Sequence, residues 1–513
     1  MNILLISIQK NLDIIGLKSL HYYLLKNGYN SFLLHLPNFN PNDDNILKNI
    51  KKFIFEISPG FIGTSLMSVE YYNARDLTKY LKSNFKSIPI IWGGAHPTIS
   101  PEMCLDYADY VCIGEGERTI LDLANAVNNN ESIKTVNNLC YIENNQIKKN
   151  MLYPLIENLD EIPSYDHIPI NSFIQEKNGR IVHVDKKVFK KYDKHGGTSY
   201  GIMSSRGCPF SCTYCCNNFL SSLYQTKKVR RRSVKNLIFE LEKAVNDNLG
   251  IEYINFYDDS FLEYNDEYLK EFCESYKERV RKPFIVRAIP IFITRNKIKY
   301  LKGAGLAGIG LGLQSGSDRV CKNIYKRKSL KADFLKAARI IKDFNIVSFY
   351  DIILDNPFEN EEDGLETIQT LIETPKPFFP QIFSLSLYFG TELYERAKKE
   401  CPEKIEESLK KKYLVYHKSN INNMIRLSVF LNEKFMNKIV YLYQQNPKGI
   451  KFRVILFIAN LLSSIIFEPL NYFRIIKLLQ GRFHARTLRI LPNYLKEGLL
   501  RYLDQFKGNK KWI

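Results

Sequence analysis

With 513 residues, the chain is long enough for two or three domains that each bury a sizeable core. Hydrophobic residues make up 45% of it, which excludes a disordered tail and a small scaffold. The net charge of +19 accompanies abundant Lys, Asn, Ile, Tyr and Phe, a bias that genome composition can also produce, so the charge alone identifies no anionic partner.

The first 125 residues predict a doubly wound parallel sheet. Short apolar strands alternate there with stretches of helical pattern, as they do in such folds. The predicted strands cover residues 3–7, 31–36, 61–66, 88–92 and 110–113. Ligands bind these sheets beyond the carboxyl ends of the strands, where glycine lets the backbone approach closely.

Two glycine-containing loops follow the fourth and fifth predicted strands and should lie at that edge. Their distinctive residues are Gly93, Gly94, His96, Gly114, Glu115, Gly116 and Glu117. Taken alone, such short glycine runs are more often tight turns between strand and helix. His96 lies at the same edge, although a lone histidine is more often a turn or surface residue than a ligand.

Residues 126–199 are predicted to connect two domains and to carry no chemistry. Their basic stretch, residues 185–197, is typical of an exposed loop. A second alternation of strand and helix patterns then runs from Tyr200 to about Leu387.

Cys208, Cys212 and Cys215 form the most informative motif of the chain. A closed zinc site needs four ligands, usually in two pairs, and no second pair follows this triplet. Three close thiolates suit an iron-sulfur cluster with one iron left open. A buried cysteine cluster, or a zinc site completed by Cys216 or a distant histidine, is the alternative at this point.

Two carboxylates end the next predicted strand, which covers residues 253–259. Active sites of barrels lie at the carboxyl ends of their strands, so Asp258 and Asp259 are candidates for a functional role. Paired Asp residues can serve as a metal site, a general base or a helix N-cap, and capping is the simplest role for Asp259.

The cysteine spacing resembles the cluster loop of the radical S-adenosylmethionine (SAM) superfamily, in which an aromatic residue precedes the last cysteine. Tyr214 stands at that position, and residues 200–205 match the preceding strand. The resemblance implies that the three cysteines hold a 4Fe-4S cluster whose open iron binds SAM. One electron from the cluster then cleaves SAM to a 5′-deoxyadenosyl radical.

Later segments resemble those of the superfamily in the same order. Asp258 and Asp259 match its Asp-Asp-x-Phe segment, near SAM or substrate. Gln314 and Ser315 stand where members often have Glu-Ser, which implies binding and puts proton transfer at Gln314 in doubt. Lys326 and Arg327 stand where a basic residue often faces the SAM carboxylate, and a solvated cation is the alternative.

Two further segments, residues 350–359 and 389–394, resemble those of the fifth and sixth strands of the superfamily. Six strands imply a partial (β/α)6 TIM-like barrel that is open enough to admit a large cofactor or substrate.

With the cysteine motif, the two glycine loops resemble the cobalamin-binding domain that precedes the barrel in one branch of the superfamily. Ser65, in the third predicted strand, belongs to the same resemblance. Cobalamin domains that supply a lower ligand carry Asp-x-His-x-x-Gly after the first strand, whereas residues 9–16 contain no histidine. Cobalamin is therefore expected to lack a histidine lower ligand from that loop.

The sequence thus predicts an α/β protein with four regions. They are a Rossmann-like cobalamin-binding domain (1–125), a connector (126–199), a radical SAM core barrel (200–395) and a basic helical C-terminal domain (396–513). Ten cysteines without a regular framework, and no apolar signal segment after Met1, predict a cytoplasmic location.

The C-terminal region is strongly basic, since residues 448–513 hold 13 Lys and Arg against 3 Asp and Glu. Its apolar run, residues 454–467, is short for a bilayer span, and Glu468-Pro469 is expected to end it. The pattern suits a peripheral membrane contact or an anionic substrate, and a helical domain with a solvated basic face fits equally well. Nucleic acid fits less well, because the aromatic residues lie in apolar runs.

The resemblance implies a cobalamin-dependent radical SAM enzyme that methylates an unactivated carbon of a small-molecule or lipid substrate. Its electron donor would be a protein such as flavodoxin or ferredoxin. Cyclisation, rearrangement or oxidation with the same cofactors is a second interpretation, and a non-catalytic cobalamin or iron-sulfur sensor is a third. No motif specifies the substrate.

Overall fold

The structure is a computed structural model that describes residues 1–248, 250–410 and 415–479. The chain divides into two compact units. The first comprises Met1–Asn248 and Tyr388–Glu395, and the second comprises the remaining residues. Of the basic C-terminal region, residues 480–513 lie outside the described residues.

A nine-stranded sheet organises the first unit. Its strands are β1 (Asn2–Ser7), β2 (Asn30–His35), β3 (Ile62–Ser65), β4 (Ile90–Gly93), β5 (Tyr110–Cys112), β6 (Leu139–Glu143), β7 (Gln146–Lys149), β8 (Ser172–Gln175) and β9 (Ile181–His183). They lie in the order β7-β6-β5-β4-β3-β1-β2-β8-β9. The five predicted strands form its parallel centre, so the predicted doubly wound sheet is confirmed.

Helices cover both faces of this sheet because successive side chains of a strand point to opposite sides. The helices of the first unit are α1 (Ile15–Lys26), α2 (Asp44–Ile57), α3 (Tyr71–Asn84), α4 (Ala95–Ile99), α5 (Pro101–Leu105), α6 (Glu117–Asn128), α7 (Lys186–Tyr192), α8 (Cys216–Leu223) and α9 (Val234–Asp247). Leu4 and Ile6 of β1 share one core with residues of α2 and α3. Ile3 and Leu5 share the other core with residues of α1 and α6.

The connector adds more structure than the sequence predicted. Its strands β6 and β7 form an antiparallel hairpin beside β5, while β8 extends the sheet beyond β2. The prediction of an exposed loop at residues 185–197 was wrong, since this stretch contains α7. Asp185 caps that helix by accepting a hydrogen bond from the Val188 N–H at 2.7 Å, and Phe189 anchors it in the core.

Three short strands follow the connector: β10 (Ser199–Ile202), β11 (Ser205–Arg206) and β12 (Arg230–Arg231). β11 and β12 pair antiparallel with Arg206 opposite Arg230, and the cysteine motif lies between them in sequence.

The second unit contains parallel strands that alternate with helices, as predicted. They are β13 (Tyr253–Phe256), β14 (Phe284–Ala288), β15 (Leu306–Gln314), β16 (Val347–Leu354) and β17 (Phe379–Ser384), paired in chain order. The intervening helices are α10 (Asp266–Arg279), α11 (Arg295–Ala304), α12 (Lys331–Asp343) and α13 (Glu361–Glu373). The carboxyl ends of these strands therefore share one edge.

The part of the chain described after β17 is helical, as predicted. Its helices are α14 (Glu392–Glu400), α15 (Glu403–Lys410), α16 (Asn420–Phe430), α17 (Glu433–Gln445), α18 (Ile450–Leu462) and α19 (Glu468–Leu479). Glu468-Pro469 does not end the helix as expected, because a π-helical turn, Ser463–Phe467, joins α18 to α19. Pro469 therefore lies within a continuous helical segment, directly after the π-helical turn.

Candidate cofactor-binding sites

Gly94 shapes the loop between β4 and α4. Its φ of +101° is a conformation that residues with a side chain rarely adopt. A Cβ at Gly94 would lie 2.9 Å from the Leu66 carbonyl oxygen and 3.0 Å from Ser65 Oγ. A Cβ at Gly93 would meet only Cys112 Cβ, at 3.7 Å. The sheet edge therefore brings Ser65, Gly93 and Gly94 together, as their positions after neighbouring strands predicted.

His96 lies buried beside these glycines. Its Nδ1 is 3.0 Å from Ser68 Oγ, and its ring contacts those of Tyr71 and Phe389. Burial lowers the pKa of His96 to about 4, so the imidazole is neutral at physiological pH. Its Nε2 is also buried and has no hydrogen-bond partner in the described structure. His96 is therefore a buried residue and not a surface residue, and its Nε2 could take a hydrogen bond from a bound group.

We expect Gly94→Ala to lower the free energy of unfolding by about 2 kcal/mol, because alanine at this φ is strained and its Cβ meets the Leu66 carbonyl oxygen. Gly93→Ala is the matched control and should stay within about 1 kcal/mol of the wild type. Chemical denaturation of both variants measures the difference. Equal losses would contradict the assigned geometry.

The second glycine loop is held by Tyr224. Gly114 has a φ of +80°, and a Cβ there would collide with the Tyr224 hydroxyl. The Glu115 N–H donates to the Tyr224 hydroxyl at 3.0 Å, and the Gly114 N–H donates to Thr98 Oγ1 at 3.0 Å. Gly116 then precedes the first turn of α6. Glycine is required at position 114 because Tyr224 occupies the space where a side chain would stand.

Glu115, Glu117, Arg206 and Arg230 form an ion network, here called the Glu–Arg cluster. Arg230 binds both carboxylate oxygens of Glu115, at 2.5 and 3.0 Å. Arg206 lies 2.6 Å from Glu117 and 3.3 Å from Glu115. Glu117, which is buried, also accepts a hydrogen bond from Ser19 Oγ at 3.1 Å. Burial alone would raise the pKa of Glu117, but Arg206 holds it below its usual value.

The cysteine motif lies on the loop that leaves β11. Gly207 opens it with a φ of +105°, and a Cβ there would lie 2.9 Å from the Lys228 carbonyl oxygen of the returning segment. The Cys215 N–H donates to the Cys212 carbonyl oxygen at 3.1 Å, and Cys215 precedes the first residue of α8. Cys208, Cys212 and Cys215 are all partly exposed, as is Tyr214.

Exposure distinguishes these thiols from most other cysteines of the chain. Burial raises the pKa of Cys112 to about 12, of Cys140 to about 11 and of Cys321 to about 11, which keeps those thiols protonated and makes them poor metal ligands. None of the ten cysteines, all of which the structure describes, forms a disulfide. No group of three or more His, Cys, Asp or Glu residues in the described ranges is arranged as a metal site. The donor type and exposure of the triplet nevertheless fit an iron-sulfur cluster.

The predicted aspartates follow β13 in the second unit. Asp258 is buried and Asp259 is exposed. The short 3-10 helix that follows, Phe261–Glu263, is preceded by Ser260 in the capping position. The simple prediction that Asp259 is the N-cap was therefore wrong, because the helix begins one residue later than the spacing suggested.

The side chains of Gln314 and Arg327 both lie beside Gly312 at the end of β15. A Cβ on Gly312 would collide with Gln314 Nε2 and would lie 3.4 Å from Arg327 Nη2. Arg327 also donates to the Gly312 carbonyl oxygen at 2.8 Å, and Gln314 has a φ of +65°. Ser315 Oγ lies 3.3 Å from Thr367 Oγ1. Three residues that the sequence singled out are thus neighbours at the carboxyl end of one strand.

Comparisons with known proteins identify the family of the chain. Residues 202–371 match the radical SAM superfamily, and residues 1–124 match the B12 binding domain family. The chain belongs to the radical SAM superfamily. As a radical SAM protein with an N-terminal B12-binding domain, it is an enzyme whose cofactors are a 4Fe-4S cluster, SAM and cobalamin.

Two curated relatives and one solved structure resemble this radical SAM protein. An uncharacterized methyltransferase of Pyrococcus horikoshii, PH0819, is 27% identical over 361 residues, which are 69% of this chain and 73% of the relative. The anaerobic magnesium-protoporphyrin IX monomethyl ester cyclase of Cereibacter sphaeroides is 23% identical over 65% of this chain and 52% of its own. The cobalamin-dependent SAM radical enzyme OxsB, at 16% identity, shares the fold with a TM-score of 0.65 over 98% of this chain and 80% of its own.

Two further carboxyl groups of the radical SAM protein were missed by the sequence analysis. Asp351 of β16 lies 3.7 Å from Arg287, and burial raises the pKa of Asp351 to about 6 although Arg287 and Arg327 oppose the shift. Glu359 is partly exposed as a residue, but its Oε1 is buried. Burial raises the pKa of Glu359 to about 8, although the neighbouring polar groups of Ser315 and Asn356 oppose the shift. Both residues lie in segment 350–359, but their burial depends on the fold.

Glu359 predicts a pH dependence of stability. In the folded protein, the Glu359 carboxyl group keeps its proton up to about pH 8, whereas in the unfolded chain it releases the proton near pH 4.5. The stability that this difference contributes is therefore complete below about pH 4.5 and is lost as the pH rises to about 8. We expect Glu359→Gln to remove up to about 1.4 kcal/mol per pH unit from that slope. The exposed Glu362→Gln is the control. Urea denaturation at several pH values tests this, and an unchanged slope in Glu359→Gln would contradict it.

Proposed function

We propose that this radical SAM enzyme transfers a methyl group to an unactivated carbon of its substrate. The observation that carries the proposal is the Glu–Arg cluster, which ties the glycine loop at Gly114 to the strand that leads into the cysteine motif. Chemistry that uses two cofactors in succession needs both on one rigid support, because reacting groups must be held in a defined geometry. The methyltransferase name of the P. horikoshii relative adds support.

In this proposal, Cys208, Cys212 and Cys215 hold the cluster, and Tyr214 packs near the adenine of SAM. The residues proposed to bind SAM or substrate are Asp258, Asp259, Gln314, Ser315 and Arg327. The guanidinium of Arg327 matches the SAM carboxylate in charge and shape, and its bond to the Gly312 carbonyl oxygen orients it.

The two glycine loops are proposed to hold cobalamin. Gly93 and Gly94 permit close approach of the backbone, and His96 Nε2 offers an unsatisfied polar atom. In the second loop, the carboxylates of Glu115 and Glu117 are already paired with arginines. We therefore assign the cobalamin contacts of this loop to the backbone of Gly114, Glu115, Gly116 and Glu117. Ser65 completes the site. When bound, the cofactors supply a radical that removes hydrogen from the substrate carbon and a methyl group that replaces it.

Cyclisation, rearrangement or oxidation is the second candidate reaction. The name of the C. sphaeroides relative, a cyclase, favours it. This chain spans about half the length of that relative, and the same cofactors would serve either outcome.

The proposed partners are an electron donor such as flavodoxin or ferredoxin and a small-molecule or lipid substrate. We also propose that the enzyme is cytoplasmic and contacts a membrane peripherally through its C-terminal region.

The test is a labelled-product assay. Anaerobically reconstituted enzyme is incubated with reductant, methyl-labelled SAM and cell lysate, and lipid and peptide fractions are analysed separately. We expect 5′-deoxyadenosine together with label in a product. Formation of 5′-deoxyadenosine without labelled product would favour the second candidate reaction. Failure to retain cobalamin after removal of the unbound cofactor would contradict the proposed roles of the glycine loops.

A further inference from the structure

The last described part of the second unit is a long helix with an exposed apolar face. Ile450–Ile475, here called the apolar helix, is long and apolar enough to cross a membrane, and 28% of its most apolar 18-residue stretch is buried. Its exposed large hydrophobic residues, here called the exposed stripe, are Ile450, Val454, Phe457, Ile458, Leu461, Ile465, Ile466, Leu470 and Phe473. Monomeric soluble domains rarely leave so many neighbouring apolar side chains in water.

The opposite face of the apolar helix packs on the second unit. Its buried residues are Phe452, Leu456, Ala459, Ser463, Asn471 and Ile475. Asn471 donates a hydrogen bond to the Phe378 carbonyl oxygen at 3.0 Å, and Glu468 pairs with Arg426. A helix that crossed a bilayer would have to break these polar contacts. The apolar helix is therefore suited to lie along a membrane surface rather than to span it.

Cations flank the exposed stripe at both ends. The exposed cations are Lys448, Lys451, Arg453, Arg474 and Lys477. In the sequence, Glu468 is the only acidic residue between positions 446 and 479, and its charge is compensated by Arg426. An apolar strip bordered by Lys and Arg matches the boundary between acyl chains and anionic headgroups.

Charge disfavours two other occupants of the exposed stripe. Residues 480–513 contain eight Lys and Arg against two acidic residues, so they would be repelled by the cations beside the stripe. A second copy of the chain would bring the same cations and the same repulsion. A surface of opposite charge meets no such penalty.

We propose that the apolar helix docks the enzyme on a bilayer that contains anionic phospholipids, with the helix axis parallel to the membrane plane. The exposed stripe enters the boundary of the acyl chains, and the flanking cations contact lipid phosphates. This docking goes beyond the proposed methyl transfer and holds whichever reaction the enzyme performs.

Vesicle co-sedimentation of the full chain tests the docking. We expect binding to mixed phosphatidylcholine and phosphatidylglycerol vesicles to be about tenfold tighter than binding to phosphatidylcholine alone. The double variant Phe457→Asp, Phe473→Asp should bind the mixed vesicles about tenfold more weakly, because it places charge in the apolar boundary. The double variant Lys451→Glu, Arg453→Glu should lose the preference for anionic lipid.

Matched controls come from the first unit. Phe239 is 59% exposed, compared with 65% for Phe457 and 61% for Phe473, and Phe239→Asp should bind vesicles like the wild type. Lys48→Glu with Lys51→Glu on α2 controls for the change in net charge. Circular dichroism and reductive SAM cleavage identify any misfolded variant, and the charge-reversed variant keeps the test valid if the aspartate variant misfolds.

Three outcomes would overturn the docking proposal. The wild type could remain in the supernatant with both kinds of vesicle, or the stripe variant could bind as tightly as the wild type. A wild-type dimer that ignores vesicles and becomes monomeric in the stripe variant would assign the stripe to contact between copies. In each case, SAM cleavage and the labelled-product assay would still report on the proposed reaction separately.

Discussion

Replacing Cys212 by alanine is expected to abolish the reductive cleavage of SAM to 5′-deoxyadenosine. A cluster with an open iron needs all three protein thiolates, and no other thiol on the loop occupies the same place in the motif. Anaerobically reconstituted Cys212→Ala should therefore lose most of its bound iron and sulfide as well as its activity. Iron and sulfide analysis, together with quantification of 5′-deoxyadenosine, measures both effects.

Cys216→Ala is the matched control for this experiment. Cys216 is adjacent to Cys215, is exposed to a similar degree and stands outside the motif, so its loss should leave the cluster in place. If the two variants lost iron equally, the ligand assignment would be incorrect. If the wild type bound zinc and formed no 5′-deoxyadenosine, the catalytic interpretation of the cysteine motif would be wrong.

Arg206→Ala is expected to cost about 3 kcal/mol of folding free energy. The substitution leaves the Glu117 carboxylate, which is 4% exposed, without its guanidinium partner, and an uncompensated buried charge is strongly destabilising. It also removes one of the two arginines that hold Glu115, so cobalamin retention should fall with stability. Urea denaturation and the amount of cobalamin retained are the measurements.

A second substitution separates charge from packing in this prediction. Adding Glu117→Gln to Arg206→Ala removes the buried charge and should restore part of the lost stability. Arg295→Ala is a control, because Arg295 and Asp343 form a similarly short pair at the surface, with side chains 62% and 50% exposed. That control should change stability by less than about 1 kcal/mol. An Arg206→Ala variant no less stable than the control would refute the structural role of the cluster.

The fold was largely predictable because its signals are local. Residues 3–6 of β1 form a continuous apolar run, which is visible in the sequence and is typical of a short strand that is buried on both faces. The short edge strands β6 to β9 were missed because they depend on pairing with β5 and β2 rather than on strong apolar runs of their own. Helix α7 was missed because the basic residues of this stretch suggested an exposed loop, although Asp185 stands before the helix as its N-cap residue.

The two glycine loops show where local patterns stop being sufficient. Gly94 and Gly114 were recognised from their places after predicted strands, but the reason each must be glycine lies elsewhere in the chain. Leu66 and Tyr224 approach them only in the folded unit. Glu115 and Glu117 were grouped with the loop by proximity in sequence, and the fold revealed that arginines about ninety or more residues away hold their carboxylates.

The sequence by itself determined the identity of the cysteine motif, the order of the strands that follow it and the glycine loops of the domain before it. Spacing within a short segment is preserved whatever the tertiary contacts are, so these motifs could be read directly. Only the tertiary structure decided which polar groups lose water: the Nε2 of His96, the carboxyl group of Glu359 and the buried carboxylate of Glu117. It also decided which face of the apolar helix remains exposed, because burial depends on residues brought together from distant parts of the chain.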